Sequence, residues 1–513
     1  MDDPGQQAFE PGAIDRSNAM SGSDRGTKRD SSPVAARRFL ANVIWMLVSQ
    51  AAGKVAAFAF VIIVARRLGV TDYGYFNFAL SIVPLFLMFG AWGIGIIVVA
   101  EVARDRTRLS EIFSSGFVLR AGLGLIGLLL CFGITPLLVR GTNAFVTVII
   151  LGFALFLDEV SGFLANVFKA FERMRYLALM TVTNRVVSVL LAVVAIAFGG
   201  QLLAVSAMYL LGSLSALVFA AVTIKRRFPP IRLADRSAAV MRQLLRQGLL
   251  VGAASVLNMA LFRIDTVMLQ AIRGPVEVGL YGIAYRFLDS FLFFAWGVTN
   301  AGLPRISRAE GRSERRRIFE SLAALMLAFY VPLAVVGVFN ADWIVSVLFS
   351  SKYAAAVPAV PWIAGASLFY AVAYLARVTA IVDGQRSAVV WIAAVGLIAN
   401  VGANAIVIPR HGFLGAAVVT FASEVLDAAL LLGLFIRSNG LPWATRLPAV
   451  PLVAGCCMSG ALLLFPADGG VTFVIAAISY VIALPICGAL LAPVESRRAI
   501  RLLRRQQPET SPG

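Results

Sequence analysis

The chain has 513 residues, 59% of them hydrophobic and only 14% charged, with a mean hydropathy of +0.85. That balance excludes an ordinary soluble globular protein, in which about 25% of residues are charged. A formal net charge of +18 would suggest nucleic-acid binding in a soluble chain, but here the basic residues lie between long apolar runs, and no nucleic-acid partner is expected.

Residues 1–38 are polar and rich in Gly, Ser and Asp, and read as a disordered cytoplasmic tail. They contain no short apolar stretch with a small-residue cleavage site, so they do not read as a secretory signal. From Phe39 to Ala492 some fourteen apolar segments follow, each about 19–26 residues long. A helix needs about 20 apolar residues to cross a hydrocarbon layer roughly 30 Å thick. In lipid only helices and closed barrels satisfy their own backbone, and these runs are too long for barrel strands. The expected fold class is an all-α membrane protein with about 14 transmembrane helices. The spans are predicted at 40–64, 75–100, 116–137, 144–166, 177–198, 201–224, 247–272, 279–302, 318–340, 358–382, 388–408, 413–436, 448–466 and 471–492. Between spans nine and ten, residues 341–357 read as an amphipathic turn on the membrane interface. Residues 493–513 form a basic tail.

The tails and even-numbered connections hold 33 of the 45 Lys and Arg, the odd-numbered connections 6. This asymmetry predicts that both termini are cytoplasmic, which agrees with an even number of spans.

The two halves repeat at an offset near 205 residues. Leu68-Gly69, Asp72-Tyr73-Gly74-Tyr75-Phe76 and Ala91-Trp92-Gly93 correspond to Arg273-Gly274, Glu277-Val278-Gly279-Leu280-Tyr281 and Ala295-Trp296-Gly297. Each half has six spans, so the copies share one orientation, and substrate is expected at the midplane between them. The predicted organisation is an N-lobe at 39–246, a C-lobe at 247–436, and two extra spans within 437–492.

No catalytic constellation appears. His411 is the only histidine and lies in an outer turn, which excludes the usual histidine-based zinc sites and Ser-His-Asp triads. Gly122-Leu-Gly124-Leu-Ile-Gly127 matches a dinucleotide motif in letters, but within an apolar span it reads as a small-residue packing stripe. The four cysteines, Cys131, Cys456, Cys457 and Cys487, all lie in spans and read as packing residues. No metal, cofactor or enzymatic activity is expected, and no phosphate-loop motif supplies energy from ATP.

Charges inside spans are costly and mark function or pairing. Arg120 and Arg377 lie near span ends and are expected to snorkel. Asp158-Glu159 and Arg185 have similar depths, as do Asp265 and Arg286, each roughly 10 Å from the outer ends of spans seven and eight. Asp265 and Arg286 are therefore expected to form a structural ion pair, with Arg263 and Asp289 nearby. Lys54, near the middle of span one, needs an anionic ligand or a carboxylate. Glu424 and Asp427, at i and i+3 in span twelve, are the candidates for that carboxylate and for ion coupling.

Ala65-Arg66-Arg67-Leu68-Gly69-Val70-Thr71-Asp72-Tyr73-Gly74 resembles a signature of the bacterial polysaccharide flippases. These form the polysaccharide-transporter branch of the multidrug/oligosaccharidyl-lipid/polysaccharide exporter superfamily. Asp265, Val278-Gly279-Leu280-Tyr281 and Ala284-Tyr285-Arg286 are similar to a second stretch of that family, and Phe349-Ser350-Ser351-Lys352-Tyr353-Ala354 to a third, with Ser in place of Gly. The resemblance covers about 38–492. It implies two six-helix lobes in a V around a cationic cavity, and alternating-access transport of a polyprenyl-diphosphate-linked oligosaccharide across the bacterial cytoplasmic membrane, coupled to an ion gradient. Lys54 is the first candidate for the diphosphate, with Arg185 and Arg263 beside it. Implied partners are the lipid-linked oligosaccharide, membrane lipids, and glycan polymerase and chain-length machinery. A drug or cation exporter with an acidic cavity, and a membrane polymerase or ligase of surface glycans, remain open on the sequence alone.

Overall fold

The computed structural model describes residues 53–91, 93–442, 445–466 and 469–493. The expected terminal tails and the first part of span one lie outside the described residues. All regular structure among those residues is helical. Among the described residues ten helices are long and apolar enough to cross a membrane.

Helix α1 occupies 53–67. The expected second span is two helices, α2 (Val70–Ala91) and α3 (Ile94–Arg104), broken at Gly93, whose φ of 65° is cheap only for glycine. Helices α4 (Leu109–Leu138), α5 (Thr142–Ala170), α6 (Met174–Ala197) and α7 (Leu202–Arg227) complete the first lobe. The second lobe contains α8 (Ala238–Ile272), α9 (Pro275–Arg308), α10 (Arg312–Phe339), the short α11 (Ala341–Phe349), a 3-10 segment (Ser351–Ala359), α12 (Val360–Val382) and α13 (Arg386–Asn439). The 54-residue α13 holds the expected spans eleven and twelve, with the chain turning at Gly412 (φ 55°, ψ −137°). Glu277 secures that turn by accepting the Phe413 backbone N–H at 2.7 Å. Helices α14 (Ala449–Leu464) and α15 (Gly470–Leu491) lean on α10, where Val450, Met458 and Tyr480 pack with Leu327 and Val331.

Helix α8 begins nine residues before the expected lobe boundary, at Ala238 rather than 247. Its first turns belong to the first lobe: Leu244 packs with Ile94, Phe113 and Phe163, and the Ser237 N–H donates to Ser115 Oγ at 2.9 Å. Outward-facing apolar residues such as Leu137 (84% exposed) and Phe198 (89% exposed) form a surface suited to lipid tails rather than water.

The lobes meet on the arginine-poor side, and the internal repeat dictates how. Gly74 lies against Pro275, and Gly279 lies against Val70, so that a Cβ on either glycine would overlap the partner's carbonyl oxygen. Both Gly279 minus Gly74 and Pro275 minus Val70 equal 205, so each helix offers the other the same two positions. One turn deeper Gly282 contacts Asn77, again 205 residues apart. Glycine is required here because two helix backbones touch.

A second contact reinforces the first. Arg66, at the end of α1, donates to the carbonyls of Val347 and Leu348, the latter at 2.8 Å. These belong to the last turn of α11, whose carbonyls lack helical partners and favour a cation. In return Tyr353 OH donates to the Ala65 carbonyl at 3.0 Å, and its ring meets Tyr73 edge-on with centroids 5.8 Å apart.

The glycine contact yields a prediction. Gly74→Val should force α2 and α9 apart at a cost of about 1–3 kcal/mol for overpacking, enough to shift a two-state equilibrium roughly 5–150-fold. In a background without native cysteines, a cysteine replacing the fully buried Tyr73 should react faster with a water-soluble maleimide once Gly74→Val is added. An unchanged rate would show that the glycine crossing does not hold the lobes together.

Candidate substrate cavity

Beneath this contact lies a cavity of about 320 Å³ between the lobes. Its charged walls come from four helices: Lys54 of α1, Arg185 of α6, Arg263 of α8, and Arg286 with Asp289 of α9. Counted along their helices, Lys54 and Arg286 lie roughly 15–20 Å from the arginine-poor ends, near the middle of a hydrocarbon layer. Phe58, Leu80 and Pro84 supply apolar wall between the charges.

The cations are held from behind rather than neutralised one for one. Arg185 donates to Tyr209 OH at 3.2 Å. Arg286 donates through Nη1 to Asp289 Oδ2 at 3.3 Å and through Nη2 to Asn77 Oδ1 of the other lobe at 3.2 Å. Arg263 Nη2 lies 3.6 Å from the same Asp289 Oδ2. The buried Nε atoms of Arg263 and Arg286 have no partner. Four positive side chains face one carboxylate, leaving a net of three positive charges. Such a wall can bind an anion with several oxygens through charge-assisted hydrogen bonds.

Lys54, Arg185 and Arg263, selected on sequence, thus share one cavity. Glu424 and Asp427 do not line it, so neither is the counter-charge of Lys54; Asp289 is the carboxylate that acts on that lysine. Asp427 is engaged by Arg377 at 2.5 Å, an ion pair where snorkelling was expected. Arg120 likewise pairs with Glu159. Asp158 lies close enough to Arg185, as expected, for the two charges to act on each other, and it also accepts from Asn184 Nδ2 at 2.7 Å.

The expected Asp265–Arg286 pair is not formed. Asp265 is 2% exposed. Its Oδ1 accepts from Asn404 at 2.9 Å, and its Oδ2 from Thr420 at 2.9 Å and Tyr281 at 3.0 Å. Asp265 is level with Tyr281, and Arg286 lies five residues deeper, roughly 7 Å along α9, so the two differ in depth as well as in rotation. Two residues along a helix turn it by about 200°, so Arg263 faces the cavity while Asp265 faces α13. Asn404 also donates to Asn400 Oδ1 at 3.1 Å, and its own Oδ1 is buried without a partner. Asn77, Tyr209, Tyr281 and Thr420 escaped the sequence reading because uncharged polar residues in apolar spans carry no distinctive spacing. Glu424 is buried on α13 beside this cluster, one turn past Thr420.

A family model described as polysaccharide biosynthesis protein matches residues 39–310, and a model described as MatE matches residues 251–406. An uncharacterised membrane protein of Methanocaldococcus jannaschii is 22% identical over 416 residues, 76% of this chain and 96% of that protein. Among solved structures, the lipid II flippase MurJ in an inward closed conformation superposes with a TM-score of 0.67 at 12% identity, covering 90% of this chain and 100% of that one. An inward-facing multidrug resistance transporter of the MATE family superposes with a TM-score of 0.61 at 15% identity, covering 81% and 96%. The first family model spans more than half of the 513 residues, and this chain belongs to the polysaccharide biosynthesis protein family.

Proposed function

We propose that this transporter is a flippase that moves a polyprenyl-diphosphate-linked oligosaccharide across a bacterial cytoplasmic membrane by alternating access. The observation that carries this reading is the cavity wall of Lys54, Arg185, Arg263 and Arg286 at mid-depth, below a contact that closes the arginine-poor side. A diphosphate needs several cationic donors, and three net positive charges suit it. The same wall repels cationic drugs, which argues against the exporter reading. The fold likeness to a lipid II flippase supports a lipid-linked substrate. Glycan polymerase and chain-length machinery are its natural neighbours, and the charge asymmetry of the connections puts both termini in the cytoplasm.

Coupling to an ion gradient is assigned to the Asp265 cluster. Its carboxylate and the Asn400, Asn404 and Thr420 side chains present oxygens of the kind that hold a hard cation, or a proton on the carboxylate. The unpartnered Asn404 Oδ1 is available to a bound cation. Glu424 stands beside the cluster as a second proton acceptor, while Asp427 is held in its pair with Arg377. Asp265 also binds Tyr281 of α9, the helix that carries the Gly279 contact and Arg286. Ion binding at Asp265 can therefore act on both the closure and the cavity.

Transport in reconstituted vesicles tests both parts. Removing a charge-assisted contact costs about 1.5–3 kcal/mol, so Lys54→Ala should lower transport of a lipid-linked sugar roughly ten- to a hundredfold while the protein stays folded, and Lys54→Arg should keep part of it. Full transport by a well-folded Lys54→Ala protein would remove the proposed site. Asp265→Asn should leave binding of the sugar lipid intact but abolish the response to an imposed proton or sodium gradient. A variant that still responds to both gradients would put the coupling elsewhere. Orientation is read separately: in whole cells a cysteine at Asn143 should label from outside and one at Ser496 should not, and the reverse pattern would invert the topology.

A further inference from the structure

A flippase for a rare lipid faces a competitor problem. Anionic phospholipids fill the same membrane in great excess, and their phosphates also suit Lys and Arg. A cavity lined only with cations would take either. Resting on the lipid-diphosphate reading above, the geometry points to Asp289 as the residue that excludes monoanionic phospholipids: it is a resident anion that a ligand must displace.

Asp289 is the single carboxylate among the cavity's charged lining residues. Arg263 and Arg286 converge on one of its oxygens, Oδ2, at 3.6 and 3.3 Å. That oxygen occupies the point between two guanidinium groups where a phosphate oxygen would sit. The position is fixed by sequence, because Asp289 lies three residues after Arg286 on the same face of α9, and by packing, because Arg263 approaches from α8. A phosphodiester that replaces the carboxylate exchanges one negative charge for another and gains little electrostatically. A diphosphate brings two negative charges to the same place, and the additional charge is answered by Lys54 and Arg185. Asp289 acts on Lys54 only from beyond ion-pair distance, and Arg185 is held from behind by Tyr209 and Asp158, so both keep room for a further anion in the cavity. Discrimination then depends on the number of charges rather than on the shape of one phosphate.

The exchange also reaches the lobe contact. Arg286 spans from Asp289 to Asn77 of the other lobe, and Asn77 is the residue against which Gly282 packs. When a diphosphate draws Arg286 away from Asp289, the Asn77 bond is put under competition at the same moment. A monoanion that leaves Asp289 in place leaves Arg286 bound as it is.

The test uses the full-length protein in nanodiscs and a polyprenyl-diphosphate N-acetylglucosamine as the bound probe, with phosphatidylglycerol as competitor. The parent protein should retain the probe across a wide range of phosphatidylglycerol. Asp289→Asn should bind the probe more tightly in neutral lipid, release it more slowly, and lose it at least about tenfold more readily as phosphatidylglycerol is raised. Asp289→Glu should behave as the parent. The double substitution Arg263→Gln with Asp289→Asn keeps the net charge of the cavity at three yet has no resident anion, and it too should lose discrimination; it serves also if Asp289→Asn alone folds poorly. Parent-like resistance to phosphatidylglycerol in both carboxylate-free variants would overturn the inference while leaving the flippase reading intact. Failure of the parent protein to retain the probe in neutral lipid would overturn both.

Discussion

A charge placed in a hydrocarbon layer must be answered by an opposite charge, by hydrogen bonds or by water, and the helices of this protein are arranged to meet that demand. Three solutions are visible. Arg377 and Asp427 pair directly at 2.5 Å, as Arg120 and Glu159 do. Asp265 is surrounded by neutral donors, with three hydrogen bonds from Tyr281, Asn404 and Thr420. The cations of the central cavity are left incompletely answered, and they line open space. The contrast separates charges that hold helices together from charges that line an open cavity.

The proposed alternating access asks for a contact that is firm but can be broken. Direct helix crossings at Gly74 and Gly279 give a close fit without interlocking side chains, so the surfaces can separate without repacking a core. The reciprocal capping of α1 and α11 by Arg66 and Tyr353 works in the same way, through hydrogen bonds that water can replace once the contact opens. By contrast, α8 is anchored in both lobes, with Leu244 in the first and Asp265 in the second. Under the proposed alternating access it is the element that would bend or pivot.

The fold was legible in the sequence because segment length and hydropathy are one-dimensional quantities. The membrane class, the repeat and the position of the cavity cations follow from counting residues. Lys54, Arg185 and Arg263 were found because a charge at mid-depth is conspicuous whatever its neighbours. Pairing was harder. Counting from the span ends placed Asp265 level with Arg286, yet the two differ in depth and face different sides of the helical hairpin, and only the packing of α9 against α2 and α13 shows which side each takes. Arg120 and Arg377 each find a carboxylate on the helix that follows in the chain, Glu159 on α5 and Asp427 on α13, which an argument from distance to the span end does not consider. The break at Gly93 was invisible to hydropathy because glycine fits an apolar span as well as a turn, whereas the turn at Gly412 falls in the connection expected between 408 and 413.

The pairing of positions 205 apart across the lobe contact has the form of an isologous interface, in which each half presents the same patch to its twin. A six-helix ancestor would have met its own copy in that way as a parallel homodimer, with a twofold axis along the membrane normal. A ligand on such an axis is offered the same groups from both directions. Fusion of the copies lifts that restriction. At the same offset Arg263 corresponds to Phe58, Arg286 to Ser81 and Asp289 to Pro84, while Lys54 corresponds to Met259 and Arg185 to Val390. Every charged position of the cavity therefore has an uncharged counterpart in the other repeat. The symmetry survives where two backbones touch and is lost where a cargo with distinct ends, sugar at one and lipid at the other, would have to be told which way to lie.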